Sequence, residues 1–174
     1  MKIATWNVNS IRSRLERLLR WLEKTGPDVL CLQELKNTED AFPFDPIREA
    51  GYHAAVCGQK TYNGVAILAR EEPVNIALGL GDNVDDPQAR LIAADISDIR
   101  IVSAYVPNGQ AVDSEKFAYK LDWLRRLGEY LERRHEPTDP LILCGHFNVA
   151  PDDRDERKGQ KPSDHAPVIA TLEI

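Results

Sequence analysis

Three apolar runs in this chain finish in polar side chains able to do chemistry. Residues 2–6 lead into Asn7-Val8-Asn9-Ser10, residues 28–32 into Gln33-Glu34, and Leu141-Ile142-Leu143-Cys144 into Gly145-His146-Phe147-Asn148. Ser163-Asp164-His165 immediately precedes a further apolar run at residues 168–172. Strand ends on one edge of a sheet converge. A Glu, an Asp, Asn amides and His gathered there make an oxygen-rich pocket suited to Mg²⁺ or Mn²⁺. Asn, Asp and Ser also end strands simply as turn formers, and spacing alone leaves both readings open.

The elements that must position these groups alternate between short β-prone runs and amphipathic helices. Leu15, Leu18, Leu19 and Leu22 fall at helical spacing with Arg and Glu on the other face, and Gly26-Pro27 stops that helix. The Pro-containing segment 42–46 leads into a short helix near residues 47–50. Strands are expected at residues 52–57, 64–69, 91–96 and 99–106, separated by turn-rich linkers such as Gly79-Leu80-Gly81-Asp82-Asn83. Phe117, Leu121, Leu124, Leu127 and Leu131 mark a second long helix, which Pro137 ends. Runs of strands with two long helices predict an α/β sandwich, with sheets face to face and helices outside. No repeat or low-complexity tract divides the chain, so residues 1–174 are expected to form one domain.

Composition narrows the class. Hydrophobic content of 43% and charged content of 29% are those of a globular protein. Cys31, Cys57 and Cys144 show no CxxC spacing, and Cys31 and Cys144 sit inside apolar runs, which predicts reduced core thiols. No apolar run approaches the ~20 residues of a membrane span, and the amino terminus lacks a signal-like apolar stretch. A cytoplasmic location without membrane contact is expected. A formal net charge of −6 argues against a strong sequence-independent grip on nucleic acid. A few basic residues on one face can nevertheless hold phosphates while carboxylates gather round a metal.

Several motifs then recur in a recognisable order. They are Thr5-Trp6-Asn7-Val8-Asn9, Leu32-Gln33-Glu34-Leu35-Lys36, Gly58-Gln59-Lys60 with Tyr62-Asn63-Gly64-Val65-Ala66, Arg90-Leu91-Ile92, Tyr105-Val106-Pro107-Asn108-Gly109, Gly145-His146-Phe147-Asn148-Val149-Ala150-Pro151 and Lys161-Pro162-Ser163-Asp164-His165-Ala166-Pro167-Val168. This series resembles the exonuclease III family of abasic-site endonucleases, within the endonuclease/exonuclease/phosphatase superfamily. The resemblance implies a four-layer α/β/β/α sandwich with its site at one edge.

Carried over by position, Glu34 resembles the main metal ligand, with Asp164 nearby and Asn7 organising the site. Tyr105 and Asn148 resemble groups that hold the scissile phosphate or the attacking water, and His165 the histidine that stabilises the growing negative charge. Asn9, Lys36, Arg90 and Asn108 resemble residues that contact DNA or its phosphates. The implied chemistry is metal-assisted phosphodiester hydrolysis, with Mg²⁺ as cofactor and Mn²⁺ as the alternative. The competing readings are plainer. Glu34 would be a solvated strand-end carboxylate, Tyr105 a core aromatic, and Lys36 and Arg90 surface decoration. His53 and His135 match nothing catalytic and are expected to face solvent, as are the basic faces of both helices.

Two departures stand out. His146 occupies a position where the family pattern has Asp, the expected base or water-positioning group. Histidine accepts a proton near neutral pH and binds metals, but offers no anionic oxygens, so a shift from Mg²⁺ towards Mn²⁺ or Zn²⁺ is expected. Only Glu156-Arg157-Lys158-Gly159-Gln160 separates the Asp-rich segment 151–155 from the Lys-Pro-Ser-Asp-His motif, a shortening placed near residues 154–158. The family carries there a helix, a DNA-contacting aromatic loop and part of the second sheet, including an Asp partner for His165. Uncovered apolar surface would favour self-association through the exposed sheet. The resulting expectation is a DNA repair nuclease acting on double-stranded DNA at abasic sites or at 3′ ends. The alternatives are a catalytically impaired DNA- or protein-binding scaffold of the same fold and, third, a small-substrate phosphodiesterase or phosphatase.

Overall fold

The computed structural model describes residues 1–149 and 165–172. Asp164, the Lys-Pro-Ser part of its motif and the expected shortening near residues 154–158 lie outside the described residues. The order is β1 (Lys2–Asn7), α1 (Ile11–Thr25), β2 (Val29–Gln33), α2 (Phe44–Glu49), β3 (His53–Cys57), β4 (Val65–Ala69), β5 (Val74–Leu78), β6 (Leu91–Ile96), β7 (Ile99–Tyr105), α3 (Glu115–Arg134), β8 (Leu141–His146) and β9 (Val168–Thr171). One sheet runs β3-β4-β2-β1-β9 and the other β5-β6-β7-β8. The β1/β2 and β7/β8 pairs are parallel, and the remaining pairs antiparallel.

The period-two alternation of each strand divides the apolar residues between packing layers. In β2, Val29 and Cys31 face the second sheet and pack with Ile3, Ile67, Ile92 and Ile101. Leu30 and Leu32 face the other way, against Leu18 and Leu22 of α1 and Ile47 of α2. On the far face of the second sheet, Leu91, Ala93, Val102 and Ala104 meet Trp123, Leu127 and Tyr130 of α3. The chain is thus an α/β sandwich of two sheets. Its helices are delimited by local chemistry. Gly26 caps α1 at φ 54, its N–H reaching the carbonyl of Leu22, and the Ser114 side chain accepts from the N–H of Phe117 at the start of α3.

Several expectations need correction. Strand β5 has no counterpart in the sequence reading. It is a bulged edge strand whose Val74, Ile76 and Leu78 stay about half exposed, so its alternation carries no burial signal. Leu121, taken as part of the buried stripe of α3, is 51% exposed, and Trp123 and Tyr130 fill the core instead. The basic face of α3 is not wholly solvated: Lys120 and Arg126 are buried. His135 is half-buried beside Tyr130, their rings 6.2 Å apart, whereas His53 is exposed as expected. Cys31 is a buried free thiol, and Cys144 only partly buried. No helix among the described residues is long and apolar enough to cross a membrane.

Candidate active site

Parallel pairing decides where the polar strand ends meet. In the β1/β2 pair Asn7 sits opposite Gln33, so Glu34 emerges beside Asn7. In the β7/β8 pair Tyr105 sits opposite His146, so both leave the second sheet together. The two sheets present these ends to one another, and His165 arrives just before β9. Asn7, Glu34, Tyr105, His146 and His165, spread along nearly the whole chain, become neighbours.

Glu34 is the centre of this arrangement. Its Oε1 accepts from Asn7 Nδ2 at 2.7 Å and from the Tyr105 hydroxyl at 2.9 Å. Its Oε2 pairs with Lys36 Nζ at 3.1 Å. Lys36 Nζ also donates to Asn9 Oδ1 at 2.6 Å, and Asn9 N to Asn7 Oδ1 at 3.0 Å. Burial works to raise the Glu34 carboxyl, but donation from Asn7, Lys36 and Tyr105 outweighs it and the carboxyl titrates below its usual range. Tyr105 responds in the opposite direction. Burial, then the charge of Glu34, push its phenol up to about 12, so it is a protonated donor at neutral pH. Asn9, Glu34, Lys36 and Asn148 all have φ between 45 and 56. Non-glycine residues in this left-handed region cost on the order of 1–2 kcal/mol each, a strain that collects at functional sites.

Arg90 supports the site from the side. Its guanidinium lies 4.9 Å from the centroid of the Tyr105 ring and donates to the Tyr105 carbonyl at 3.2 Å. Its Nε and Nη2 both donate to Gln88 Oε1, at 3.0 and 2.8 Å. Gln88 Nε2 donates to the Tyr119 hydroxyl, which donates to Asp86. Neither Gln88 nor Tyr119 is recognisable from the sequence, where Gln88 is one polar residue in a turn-rich linker. Asn63 belongs to a quoted motif but had no assigned role; it is buried and joins Gln88 to Gln59. Glu34, Arg90, Tyr105 and the exposed Asn108 line one cleft of about 720 Å³. Asn148 is more structural than expected. Its Nδ2 donates to the carbonyl of Val106 at 2.7 Å, and its own carbonyl accepts from the buried Lys120 at 2.7 Å.

The two histidines close the other side. Their ring centroids are 4.3 Å apart, edge to face, and a pocket of about 130 Å³ opens between Asn7, His146 and His165. Asn7 Nδ2, already donating to Glu34, lies 2.5 Å from His146 Nδ1. One ligand atom each from Glu34, His146 and His165 lies within 4.8 Å of the other two. These residues are therefore able to hold a divalent cation.

A sequence model of the endonuclease/exonuclease/phosphatase family matches residues 4–172. The chain belongs to this family. Within it the relatives are of the exonuclease III and AP endonuclease kind. The chain is 36% identical over 160 residues to exodeoxyribonuclease III of Haemophilus influenzae, a match covering 89% of this chain and 60% of the relative. An AP endonuclease from Archaeoglobus fulgidus superposes with a TM-score of 0.85 at 44% identity, covering 91% of this chain and 61% of that one. A 3′ phosphatase from Neisseria, bound to product DNA hairpin, superposes with a TM-score of 0.82 at 46% identity, covering 89% and 60%. The chain thus spans about three-fifths of the length of these relatives.

Family resemblance implies Mg²⁺, and the donors can be tested against it. Mg²⁺ takes a near-octahedral shell of oxygens. The ligand set among the described residues is one carboxylate, already shared with Lys36, and two imidazoles. Among the described residues that set offers Mg²⁺ one carboxylate, and Asp164, the second carboxylate expected there, lies outside them.

Proposed function

We propose that the chain is a metal-dependent DNA repair nuclease of the exonuclease III type, hydrolysing phosphodiesters at abasic sites or at the 3′ ends of double-stranded DNA. The observation that carries this reading is the meeting of Glu34, Tyr105, His146 and His165, from separate strand ends, beside an open cleft bearing Arg90 and Asn108. Lys36, Arg90, Asn9 and Asn108 are the groups that would receive the phosphate backbone. Water attacks phosphorus beside His146, the bond to the leaving sugar oxygen breaks, and the proton that the water sheds passes through solvent to that oxygen. Tyr105, protonated at neutral pH, and His165 donate to the phosphoryl oxygens as charge builds on them. Asn148 would orient the phosphate or the water from its fixed position against Val106. A divalent cation beside Glu34 would supply Lewis acidity and charge neutralisation.

The same reading includes the finer fold assignment, a four-layer α/β/β/α sandwich in one domain with part of the second sheet shortened near residues 154–158. It also includes a cytoplasmic location and self-association through the exposed sheet. A second reading, a catalytically impaired DNA- or protein-binding scaffold, draws on one observation: His146 stands where the family pattern has Asp and accepts from Asn7 rather than offering an anion. Incision of a duplex carrying one abasic site separates the two. The nuclease reading expects cleavage by the native chain and its loss in Glu34→Gln. Tight binding without cleavage, with activity appearing only in His146→Asp, would support the scaffold.

A further inference from the structure

We infer that Glu34, His146 and His165 form a two-histidine, one-carboxylate site for a borderline transition-metal ion of the Zn²⁺ or Co²⁺ class, in preference to Mg²⁺. The inference deepens the proposed function and rests on that reading only for the catalytic use of the ion. Binding itself rests on the geometry described here.

The chemistry of the donors is the first argument. Imidazole nitrogen suits zinc, copper, nickel and cobalt, whereas Mg²⁺ is held by oxygen, and the divalent order of affinity at mixed sites runs upward from manganese to copper. The charge balance among the described residues is the second. Glu34 contributes one negative charge and Lys36 Nζ, 3.1 Å away, one positive, so their sum is zero. A hard cation attracted mainly by net charge gains little there. An ion that forms strong bonds to imidazole nitrogen gains much more.

Convergence of the acceptors is the third argument. Asn7 Nδ2 lies 2.7 Å from Glu34 Oε1 and 2.5 Å from His146 Nδ1, so a carboxylate oxygen and an imidazole nitrogen face one positively polarised point. A cation that takes both acceptors displaces the Asn7 Nδ2 group from between them, with His165 alongside. Two ligands on one zinc at ~2.1 Å stand roughly 3.4 Å apart in tetrahedral geometry. The 4.8 Å limit on the separations of the triad therefore asks for side-chain adjustment of about an ångström, not for a backbone change. Asn7 holds Glu34 and His146 within reach of one another until the ion takes its place between them.

The test is calorimetric titration of the chelator-treated full chain with ZnCl₂ and, separately, MgCl₂, together with the visible spectrum after CoCl₂ addition. One Zn²⁺ per chain is expected, bound at least ~100-fold more tightly than Mg²⁺. Co²⁺ should give the intense d–d bands of a low-coordinate site. His146→Asp and His165→Asn should each weaken Zn²⁺ on the order of 10–100-fold, with His146→Asp narrowing the gap to Mg²⁺. Circular dichroism confirms that each variant is folded. His53→Gln, at the exposed histidine, should change nothing. Equal affinity for Zn²⁺ and Mg²⁺, Zn²⁺ binding untouched by both site substitutions, or its loss in His53→Gln would overturn the inference. Zn²⁺ bound at the triad without any DNA cleavage would leave the site standing and count against the nuclease instead.

Discussion

Tyr105 illustrates how a single side chain carries two demands. Burial, then the charge of Glu34 and the hydrogen bond to it, keep the phenol protonated to about pH 12, against the opposing effect of Arg90 over its ring. In the proposed reaction it is therefore a donor and not a base. Tyr105→Phe should preserve the fold, because the ring and its packing remain. It should lower the cleavage rate on the order of 10²-fold, the usual cost of one donor to a developing oxyanion. Single-turnover cleavage measured beside thermal unfolding checks this, and an unchanged rate would remove Tyr105 from the chemistry. Glu34, Lys36 and Asn9 had been legible as site residues by resemblance. The left-handed backbone of Glu34 and Lys36 was not, since contacts across the loop accompany it, Leu35 N reaching the Gly64 carbonyl and Lys36 N that of Asn63.

Elements hold these residues by close approach and by buried charge. Gly145, at φ 149 next to His146, runs so near β7 that an added Cβ would land on the carbonyl oxygen of Ala104. Gly145→Ala should therefore cost on the order of 3 kcal/mol and displace His146; a chemical denaturation curve matching the native chain would contradict this. Helix α3 is anchored by Arg126, only 5% exposed, whose Nε donates to Asp82 at 2.6 Å. That bond, chiefly, pulls the Asp82 carboxyl from its usual 3.8 down to about 2. A carboxyl lowered in the folded state stabilises above its unfolded value and stops doing so as pH falls through the folded one. Asp82 should thus contribute about 2 kcal/mol at pH 7, lost between roughly pH 4 and pH 2. Asp82→Asn should unfold more easily at neutral pH, with the difference vanishing near pH 2. The periodic leucines made α1 and α3 readable in advance. The pairing of Arg126 with Asp82 and Asp86, 44 and 40 residues away, leaves no local trace, and neither does an exposed edge strand such as β5.

For the whole molecule, charge and shape would limit how the proposed DNA substrate is gripped. The chain carries a formal −6, and among the described residues the cleft offers a small number of cations, Lys36 near Glu34 with Arg90 and Lys116 lining it. Neutralising about two or three phosphates predicts a shallow salt dependence, a log–log slope near −2 to −3. Fluorescence anisotropy between low and moderate salt measures it, and a slope several-fold steeper would place the interface elsewhere. Strands β8 and β9 end their sheets among the described residues, with Val168 65% and Ile169 41% exposed on β9. Sedimentation should accordingly find association at micromolar concentration, and a clean monomer would remove the self-association proposal. The two-sheet architecture was foreseeable from the order of strands and helices. That its sheets would bring Glu34 to Tyr105 followed from resemblance, because strand alternation does not specify which sheet ends meet.

The account depends most on Glu34 as the anchor of a phosphodiester-cleaving site. Single-turnover cleavage of an abasic-site duplex by the metal-loaded native chain and by Glu34→Gln tests it directly. The account predicts strand cleavage by the native protein and a fall of at least ~10³-fold in the variant. Equal rates in the two proteins, or no cleavage by the native chain with any divalent ion, would contradict it.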